Sequence, residues 1–155
     1  IYFSDAIVQT KWQDNHKTVQ QGHDLGERMK NAFKKGFEDD YKRIVLIGSD
    51  LPDITENHIN NGLKKLKESD VVFGPAEDGG YYLIGLSEMY DYIFDNKPWS
   101  QSHLLEETLI ELEHKNIKVD TLETLNDIDT WEDLVSSPFY KNNNQLQEKI
   151  NQISN

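Results

Sequence analysis

Residues 42–74 read KRIVLIGSDLPDITENHINNGLKKLKESDVVFG, and this stretch decides the fold class. Its first part is a continuous Ile-Val-Leu-Ile run that ends in Gly-Ser-Asp, which is typical of a strand buried on both faces in a parallel sheet. Thr55 then begins a predicted helix with apolar residues at helical spacing. Asp70 to Gly74 is a second apolar run and predicts another buried strand. The stretch therefore predicts a strand–helix–strand unit with a right-handed crossover.

Strands and helices continue to alternate on both sides of this unit. Such alternation predicts an α/β sandwich. The further predicted elements are a helix capped by Asp24, a strand over Tyr81–Leu86, a short helix over Ser87–Phe94, a helix through Leu104–Leu112, a strand over Ile117–Thr121, and a helix that begins with a capping box of Thr130 and Asp133.

The two ends of the chain differ from its middle. Residues 1–5 (IYFSD) resemble the end of a strand, and no initiator Met is present, so we expect the natural N-terminus to be missing. The polar stretch from Lys141 onward predicts a peripheral helix or tail over residues 141–155. Residues 1–140 are then expected to form a single domain, which is N-terminally incomplete.

Composition narrows the function classes. The chain has 155 residues and a formal net charge of -12, which disfavours nucleic acid or an anionic membrane as the main partner. No apolar run is long enough to span a bilayer. The absence of cysteine excludes disulfides and thiolate sites and is consistent with a reducing compartment, so we expect a cytoplasmic protein. An acidic protein that binds phosphates usually needs a cation between its own carboxylates and the phosphates.

Asp50 follows the first buried strand, in the sequence Gly48-Ser49-Asp50-Leu51-Pro52. Open α/β sheets bind ligands just beyond the carboxyl ends of their strands. Magnesium takes one or two carboxylates together with water and substrate phosphates, so an aspartate here suits a nucleotide-bound metal. The alternative is that Asp50 only shapes the turn before Pro52.

The stretch GPAEDGGYYLIG, residues 74–85, combines four glycines with two carboxylates. Gly79 and Gly80 let backbone amides approach a phosphate or sugar closely, and Asp78 can accept hydrogen bonds from hydroxyls. The alternative is an Asp-Gly hairpin turn with no further role. Tyr81, which follows, is either a substrate contact or a core residue.

Two further loops precede helices. The Gln21 side chain and the neighbouring Gly22 amide could read a nucleobase edge, and Arg28, one turn into the helix, either reaches a phosphate or forms a solvated salt bridge. Trp99 lies in a loop before another helix, where it either covers a substrate or anchors the loop, and we favour anchoring. The five histidines show no metal-ligand spacing.

Asp127 and Asp129 stand two residues apart immediately before the helix that begins at Thr130. In an extended segment both carboxylates can point to the same side, so Asp129 could complete a metal site with Asp50. The alternative is that these acids favour the start of a helix, as acidic residues commonly do.

In this order, the segments resemble a bacterial family of glycosyltransferase-like proteins related to the nucleotide-diphospho-sugar transferases and similar to the phospholactate guanylyltransferases. The segments that carry the resemblance are QGHDLGERMKNAF (21–33), IGSDLP (47–52), GPAEDGGYYLIGL (74–86), PWSQS (98–102) and LNDIDTWEDL (125–134). The resemblance implies a glycosyltransferase-A-type α/β fold, with three layers around a Rossmann-like mixed sheet. It also implies that the family's first strand and the basic loop that binds the phosphates are absent from this chain.

By that resemblance the metal ligands are Asp50 and Asp129, with Asp127 as a further candidate, and the metal is Mg²⁺ or Mn²⁺. Gln21 and Gly22 would contact the base, with Ser49 and Arg28 also on the nucleotide side. Asp78, Gly79 and Gly80 would face the acceptor or sugar, together with Tyr81 and Trp99 as further candidates.

The sequence thus predicts a metal-dependent transferase that uses a nucleotide-activated sugar and an unknown small-molecule acceptor. One alternative is a nucleotidyltransferase that joins a nucleoside triphosphate to an acceptor phosphate and releases pyrophosphate. Another is a non-catalytic nucleotide-binding domain. The oligomeric state is left open.

Overall fold

The computed structural model describes residues 1–10, 14–49, 51–126, 128 and 130–153. The strands in this part of the chain are β1 (Tyr2–Phe3), β2 (Thr18–Val19), β3 (Ile44–Ile47), β4 (Val71–Pro75), β5 (Tyr81–Leu86) and β6 (Val119–Thr121). The helices are α1 (Leu25–Glu38), α2 (Glu56–Lys65), α3 (Leu104–His114), α4 (Trp131–Ser136), α5 (Pro138–Lys141) and α6 (Asn144–Ile153).

Four of these strands form one mixed sheet in the order β3-β5-β4-β6. Strand β5 is antiparallel to both of its neighbours, whereas β4 and β6 are parallel. Because β3 and β4 are both antiparallel to β5, they run in the same direction, and α2 connects them. The predicted strand–helix–strand unit is confirmed, although β5 lies between its two strands. Strands β1 and β2 form a separate parallel pair.

The core lies on both faces of this sheet, in two clusters. One face packs against α1 and α3, and its buried residues include Phe33, Phe73 and Leu112. The other face packs against α2, where Leu66 meets Val72 and its neighbours. Helices on opposite faces of a mixed sheet give three layers, so the predicted α/β architecture is confirmed.

The helices begin where their capping residues predict. The Asp24 carboxylate accepts a hydrogen bond from the backbone N–H of Glu27, 2.8 Å away. The Asp133 carboxylate accepts one from the backbone N–H of Thr130, and the Thr130 hydroxyl accepts one from the N–H of Asp133. These reciprocal bonds satisfy helix donors that would otherwise have no partner. No helix in the described part of the chain is long and apolar enough to cross a membrane.

The predicted burial of the first strand on both faces is wrong. Residues of β3 are only half-buried, and Ile47 is 38% exposed. The reason is position, since in the described sheet β3 is an edge strand that pairs only with β5. An apolar run alone does not distinguish a central strand from an edge strand.

The predicted short helix over Ser87–Phe94 is also wrong. Only Asp91–Ile93 forms a single 3₁₀ turn there. Ile93 and Phe94 are buried in the core, and Lys34 of α1 forms an ion pair with the Asp91 carboxylate. The Lys34 hydrogen bond, together with nearby Lys30, lowers the pKa of that carboxyl group. Tertiary contacts therefore hold this segment in place without a regular helix.

The C-terminal part of the chain is largely helical. Residues 138–153 hold α5 and α6, and the peripheral placement of this segment stays a prediction. The boundary at residue 140 between a domain and a tail stays a prediction.

Candidate functional site

The loops that contain most of the predicted site residues meet at one edge of the main sheet. Because β3 and β4 are parallel, their carboxyl ends point to the same edge, where ligands bind in open α/β sheets. The backbone N–H of Gly48, just after β3, donates to the carbonyl of Tyr82, 3.0 Å away. Ala76, just after β4, forms a parallel bridge with Leu125. The first bond joins the segment after β3 to β5, and the bridge joins the segment after β4 to the segment that precedes α4. Leu51 and Leu125 also pack in the same core cluster, so the segments after β3 and before α4 lie on the same face of the sheet.

The Gly79-Gly80 turn closes the hairpin between β4 and β5, so the hairpin interpretation of this sequence is correct as a matter of structure. Gly79 has a φ of +91°, which side-chain-bearing residues rarely adopt. The Asp78 carboxylate accepts a hydrogen bond from the backbone N–H of Gly80 at 2.8 Å. One predicted substrate contact, Asp78, thus also stabilises the turn itself.

Gly79 also packs against the segment that begins α3. A Cβ atom at residue 79 would lie 1.8 Å from the carbonyl oxygen of Ser102, which is far inside van der Waals contact. The backbone N–H of Leu105 donates to the carbonyl of Gly79 at 3.1 Å. The glycine is therefore required both by its own backbone conformation and by the close approach of residue 102.

The loop before α1 is held by Arg28. The Arg28 guanidinium donates to the carbonyl of Gly22 at 3.2 Å and lies 3.4 Å from the side-chain oxygen of Gln20. Asn31 donates to the backbone carbonyl of Gln21 at 2.9 Å, which leaves the exposed Gln21 side chain out of that contact. Arg28 therefore orders the predicted base-binding loop, and a phosphate contact by Arg28 stays a prediction.

Trp99 packs on the start of α1. A Cβ atom at Gly26 would lie 2.4 Å from the Trp99 ring, so the indole covers this glycine closely. The Trp99 side chain is half-buried against the core cluster of α1 and α3. This contact favours the anchoring interpretation, and it fixes the loop that leads to Ser102. A substrate contact by Trp99 stays a prediction.

Tyr81 and Tyr82 occupy opposite faces of the sheet because successive side chains along a strand point to opposite faces. Tyr81 packs on Phe73, with 5.0 Å between ring centroids. Tyr82 lies against Gly74 in the other cluster, and burial together with the nearby Glu123 carboxylate raises its pKa to about 12. Both rings belong largely to the core.

We expect Tyr81→Phe to leave the free energy of unfolding unchanged or to raise it by up to about 1 kcal/mol. Among the described residues, the Tyr81 hydroxyl is the buried side-chain group with no hydrogen-bond partner, and an unpaired buried hydroxyl is costly. Urea denaturation of both proteins measures the difference. A loss of more than about 1 kcal/mol would mean that the hydroxyl has a partner, such as a bound water.

His58, in the first turn of α2, borders the candidate site and was not among the predicted site residues. Its Nδ1 atom lies 2.9 Å from the Thr55 backbone N–H, and its Nε2 atom lies 2.8 Å from a carboxylate oxygen of Glu123. Since the backbone N–H can only donate, Nδ1 accepts, and the ring proton sits on Nε2 and is donated to Glu123. The Tyr82 hydroxyl donates to the Glu123 carbonyl at 3.0 Å. These bonds tie the start of α2 to the segment before residue 126.

His58→Ala should lower the free energy of unfolding by about 1–2 kcal/mol, because the start of α2 loses an acceptor and Glu123 loses its donor. The matched control is His103→Ala, since the His103 side chain is 47% exposed and, among the described residues, its one charged neighbour is Glu107, at 3.7 Å. That control should stay within about 0.5 kcal/mol of the parent protein. Equal effects of the two substitutions in urea denaturation would contradict the structural role of His58.

The predicted metal ligands Asp50, Asp127 and Asp129 lie outside the described residues. Ser49, beside one of them, is exposed. Within the described ranges, no group of three or more His, Asp or Glu side chains could hold a metal ion. The metal site therefore stays a prediction that rests on three aspartates.

Known proteins share this architecture. A crystal structure from Desulfovibrio desulfuricans G20, described as a "putative nucleotide-diphospho-sugar transferase", superposes with a TM-score of 0.76 and 34% identity over 91% of this chain. A 2-phospho-L-lactate guanylyltransferase from Methanocaldococcus jannaschii is 36% identical over 59 residues, or 37% of this chain. The matches cover 66% of the solved chain and 26% of the guanylyltransferase.

The fold is thus that of the nucleotide-diphospho-sugar transferases. The family model described as "Uncharacterized protein conserved in bacteria (DUF2064)" matches residues 4–101, which is more than half of the sequence and includes β3, the glycine turn and Trp99. The chain belongs to this bacterial family.

Proposed function

We propose that this protein is a metal-dependent transferase that takes a glycosyl group from a nucleotide-activated sugar and passes it to a small-molecule acceptor. The observation that carries the proposal is the meeting of the loops after β3 and β4 and before α4 at one sheet edge, in a chain with this fold. That edge is where α/β proteins of open-sheet type bind their ligands. The solved relative's description as a sugar-nucleotide transferase supports the same substrate class.

In this proposal, the described residues divide between a nucleotide side and an acceptor side. Gln21 and Gly22 contact the base, in a loop that Arg28 orders through its bond to the Gly22 carbonyl. Ser49 lies beside the phosphates. The hairpin turn forms the acceptor-side or sugar-side wall, where the Asp78 carboxylate is exposed at the surface.

The proposed cofactor is Mg²⁺ or Mn²⁺, held by Asp50 and Asp129 with Asp127 as a further candidate ligand. These side chains suit such a metal, because carboxylate oxygens are the ligands that hard divalent cations prefer. The charge of the protein is compatible with this, since a cation reduces the repulsion between a chain of net charge -12 and bound phosphates. When bound, the metal would neutralise charge on the leaving diphosphate.

The second candidate is nucleotidyl transfer, in which an acceptor phosphate attacks a nucleoside triphosphate and pyrophosphate leaves. The specific observation in its favour is the 36% identity to a guanylyltransferase over 59 residues. Both reactions need the same nucleotide loop and the same metal. The products distinguish them.

The test incubates the full-length protein with Mg²⁺ or Mn²⁺ and either a panel of sugar nucleotides or the nucleoside triphosphates. Release of nucleoside diphosphate from a sugar nucleotide supports glycosyl transfer. Release of pyrophosphate from a triphosphate, without the first reaction, would replace it with nucleotidyl transfer. If neither product forms but nucleotides raise the melting temperature, the protein is a non-catalytic nucleotide-binding domain.

A further inference from the structure

A groove of about 410 Å³ runs along α3 from the hairpin turn. Gly79 and Ser102 form its inner end, where Leu105 N–H donates to the Gly79 carbonyl. Its outer part is a single face of α3. The groove therefore opens beside the turn that the proposed function places at the acceptor side.

One face of α3 gives the groove an apolar floor. Leu109 is half-buried, whereas Ile110 is 48% exposed. An isolated exposed isoleucine needs no explanation. Ile110, however, lines the groove together with Leu105 and Leu109, which lie on the same face of α3. The floor is thus suited to an apolar portion of a small molecule. The groove is open to solvent along its length, and its volume lies in the range of small-molecule sites.

Two carboxylates form the rim of the groove. Glu106 and Glu113 lie on the Ile110 face of the helix, and neither side chain forms an ion pair or hydrogen bond with another described residue. Glu107 and Glu111, on the other face, pair with basic neighbours. Glu113 also lies in the last turn, where the helix dipole disfavours a carboxylate. Helix stability therefore does not account for Glu113.

We propose that this groove is the acceptor subsite of the transferase, and that it selects a neutral or positively charged acceptor with an apolar portion. The role of the groove as an acceptor site rests on the proposed function, whereas the class of ligand follows from the residues of the groove itself. Two unpaired carboxylates beside an apolar floor repel an anionic ligand and attract a cationic one. The volume fits a small molecule, whereas a protein partner would need a far larger contact surface.

The test is a binding comparison that uses neither nucleotide nor turnover. Hexylamine, hexyl glucoside and hexanoate share an alkyl chain and differ in charge, and amide chemical-shift changes give their affinities and binding position. Hexylamine and hexyl glucoside should shift the amides of residues 102–113 and bind about tenfold or more tightly than hexanoate. Equal binding of hexanoate, or shifts confined to other segments, would overturn the assignment.

Variants separate the floor from the rim. Ile110→Ser should weaken hexyl glucoside about threefold to tenfold, whereas Tyr41→Ser, at a position 64% exposed and outside the groove, should not. The pair Glu106→Gln and Glu113→Gln should remove most of the preference for hexylamine over hexanoate. The matched control is Glu107→Gln, which removes one charge from the other face of α3 and should keep that preference. A preference that survives the double substitution would contradict the role of the rim.

The binding test and the product test fail independently. If the probes bind in the groove but no nucleoside diphosphate is released from any donor, the groove remains an amphiphile site and the transferase proposal fails. If nucleoside diphosphate is released while none of the probes binds along α3, the transferase stands and the acceptor subsite is wrong.

Discussion

Asp50→Asn should lower metal-dependent product release by about a hundredfold to a thousandfold, and Asp129→Asn should have a similar effect. Loss of a carboxylate ligand weakens binding of the metal. A bound metal contributes several kcal/mol of charge stabilisation in the transition state, and about 1.4 kcal/mol corresponds to a tenfold change in rate. Because asparagine keeps the size of aspartate, the fold is expected to persist. The measurement is the initial rate across a magnesium series, with far-ultraviolet circular dichroism as a check of folding.

The matched control is Asp53→Asn, which makes the same chemical change three residues away in the loop after β3. Asp53 is half-buried and has no assigned role in the site. Its rate should remain within about twofold of the parent protein, as expected for a substitution away from the reacting groups. If nucleotide binding by both the Asp50 and the Asp129 variants keeps the magnesium dependence of the parent, the proposed metal site is wrong.

Gly79→Ala should be the most destabilising of the substitutions considered, with a loss of about 3 kcal/mol or more in the free energy of unfolding. A non-glycine residue at φ +91° is strained, and its Cβ would meet the Ser102 carbonyl at 1.8 Å. The hairpin and the start of α3 therefore cannot both keep their positions, and one of them must move. Urea denaturation followed by circular dichroism measures the loss.

Gly80→Ala is the control within the same turn. Gly80 does not have a positive φ, and a Cβ there would meet only the flexible Asp78 carboxylate at 3.1 Å. We expect a change of no more than about 1 kcal/mol. Equal stability of the two alanine variants would show that the hairpin and residue 102 do not constrain each other as described.

The sequence predicted the local elements well where a helix has its own capping residue. Asp24, Thr55 and Thr130 each begin a helix as expected, because a side chain that satisfies free helix donors acts over a few residues. The capping partner at Thr55 was not expected, since His58 supplies the acceptor in place of a carboxylate. The capping residue marks the start of the helix locally, whereas the orientation of the His58 ring also depends on Glu123, which is distant in sequence.

The two predictions that failed depended on contacts distant in sequence. Strand β3 has the apolar run of a central strand, yet its position at the edge of the described sheet leaves Ile47 38% exposed. The segment over Ser87–Phe94 has helix-compatible residues, yet ion pairs with α1 and burial of its end hold a 3₁₀ turn. Neither strand order nor such pairing is encoded in local periodicity.

By itself the sequence determined the α/β class, the family resemblance and the glycine turn, because these follow from apolar periodicity and from short motifs. The tertiary structure decided which segments meet: Ala76 with Leu125, Gly79 with Ser102, and Trp99 with Gly26. It also decided that Gly79 is required for packing, and that α3 carries an acidic, apolar groove beside it. Contacts between residues far apart in the chain depend on the order and direction of strands, which no single segment specifies.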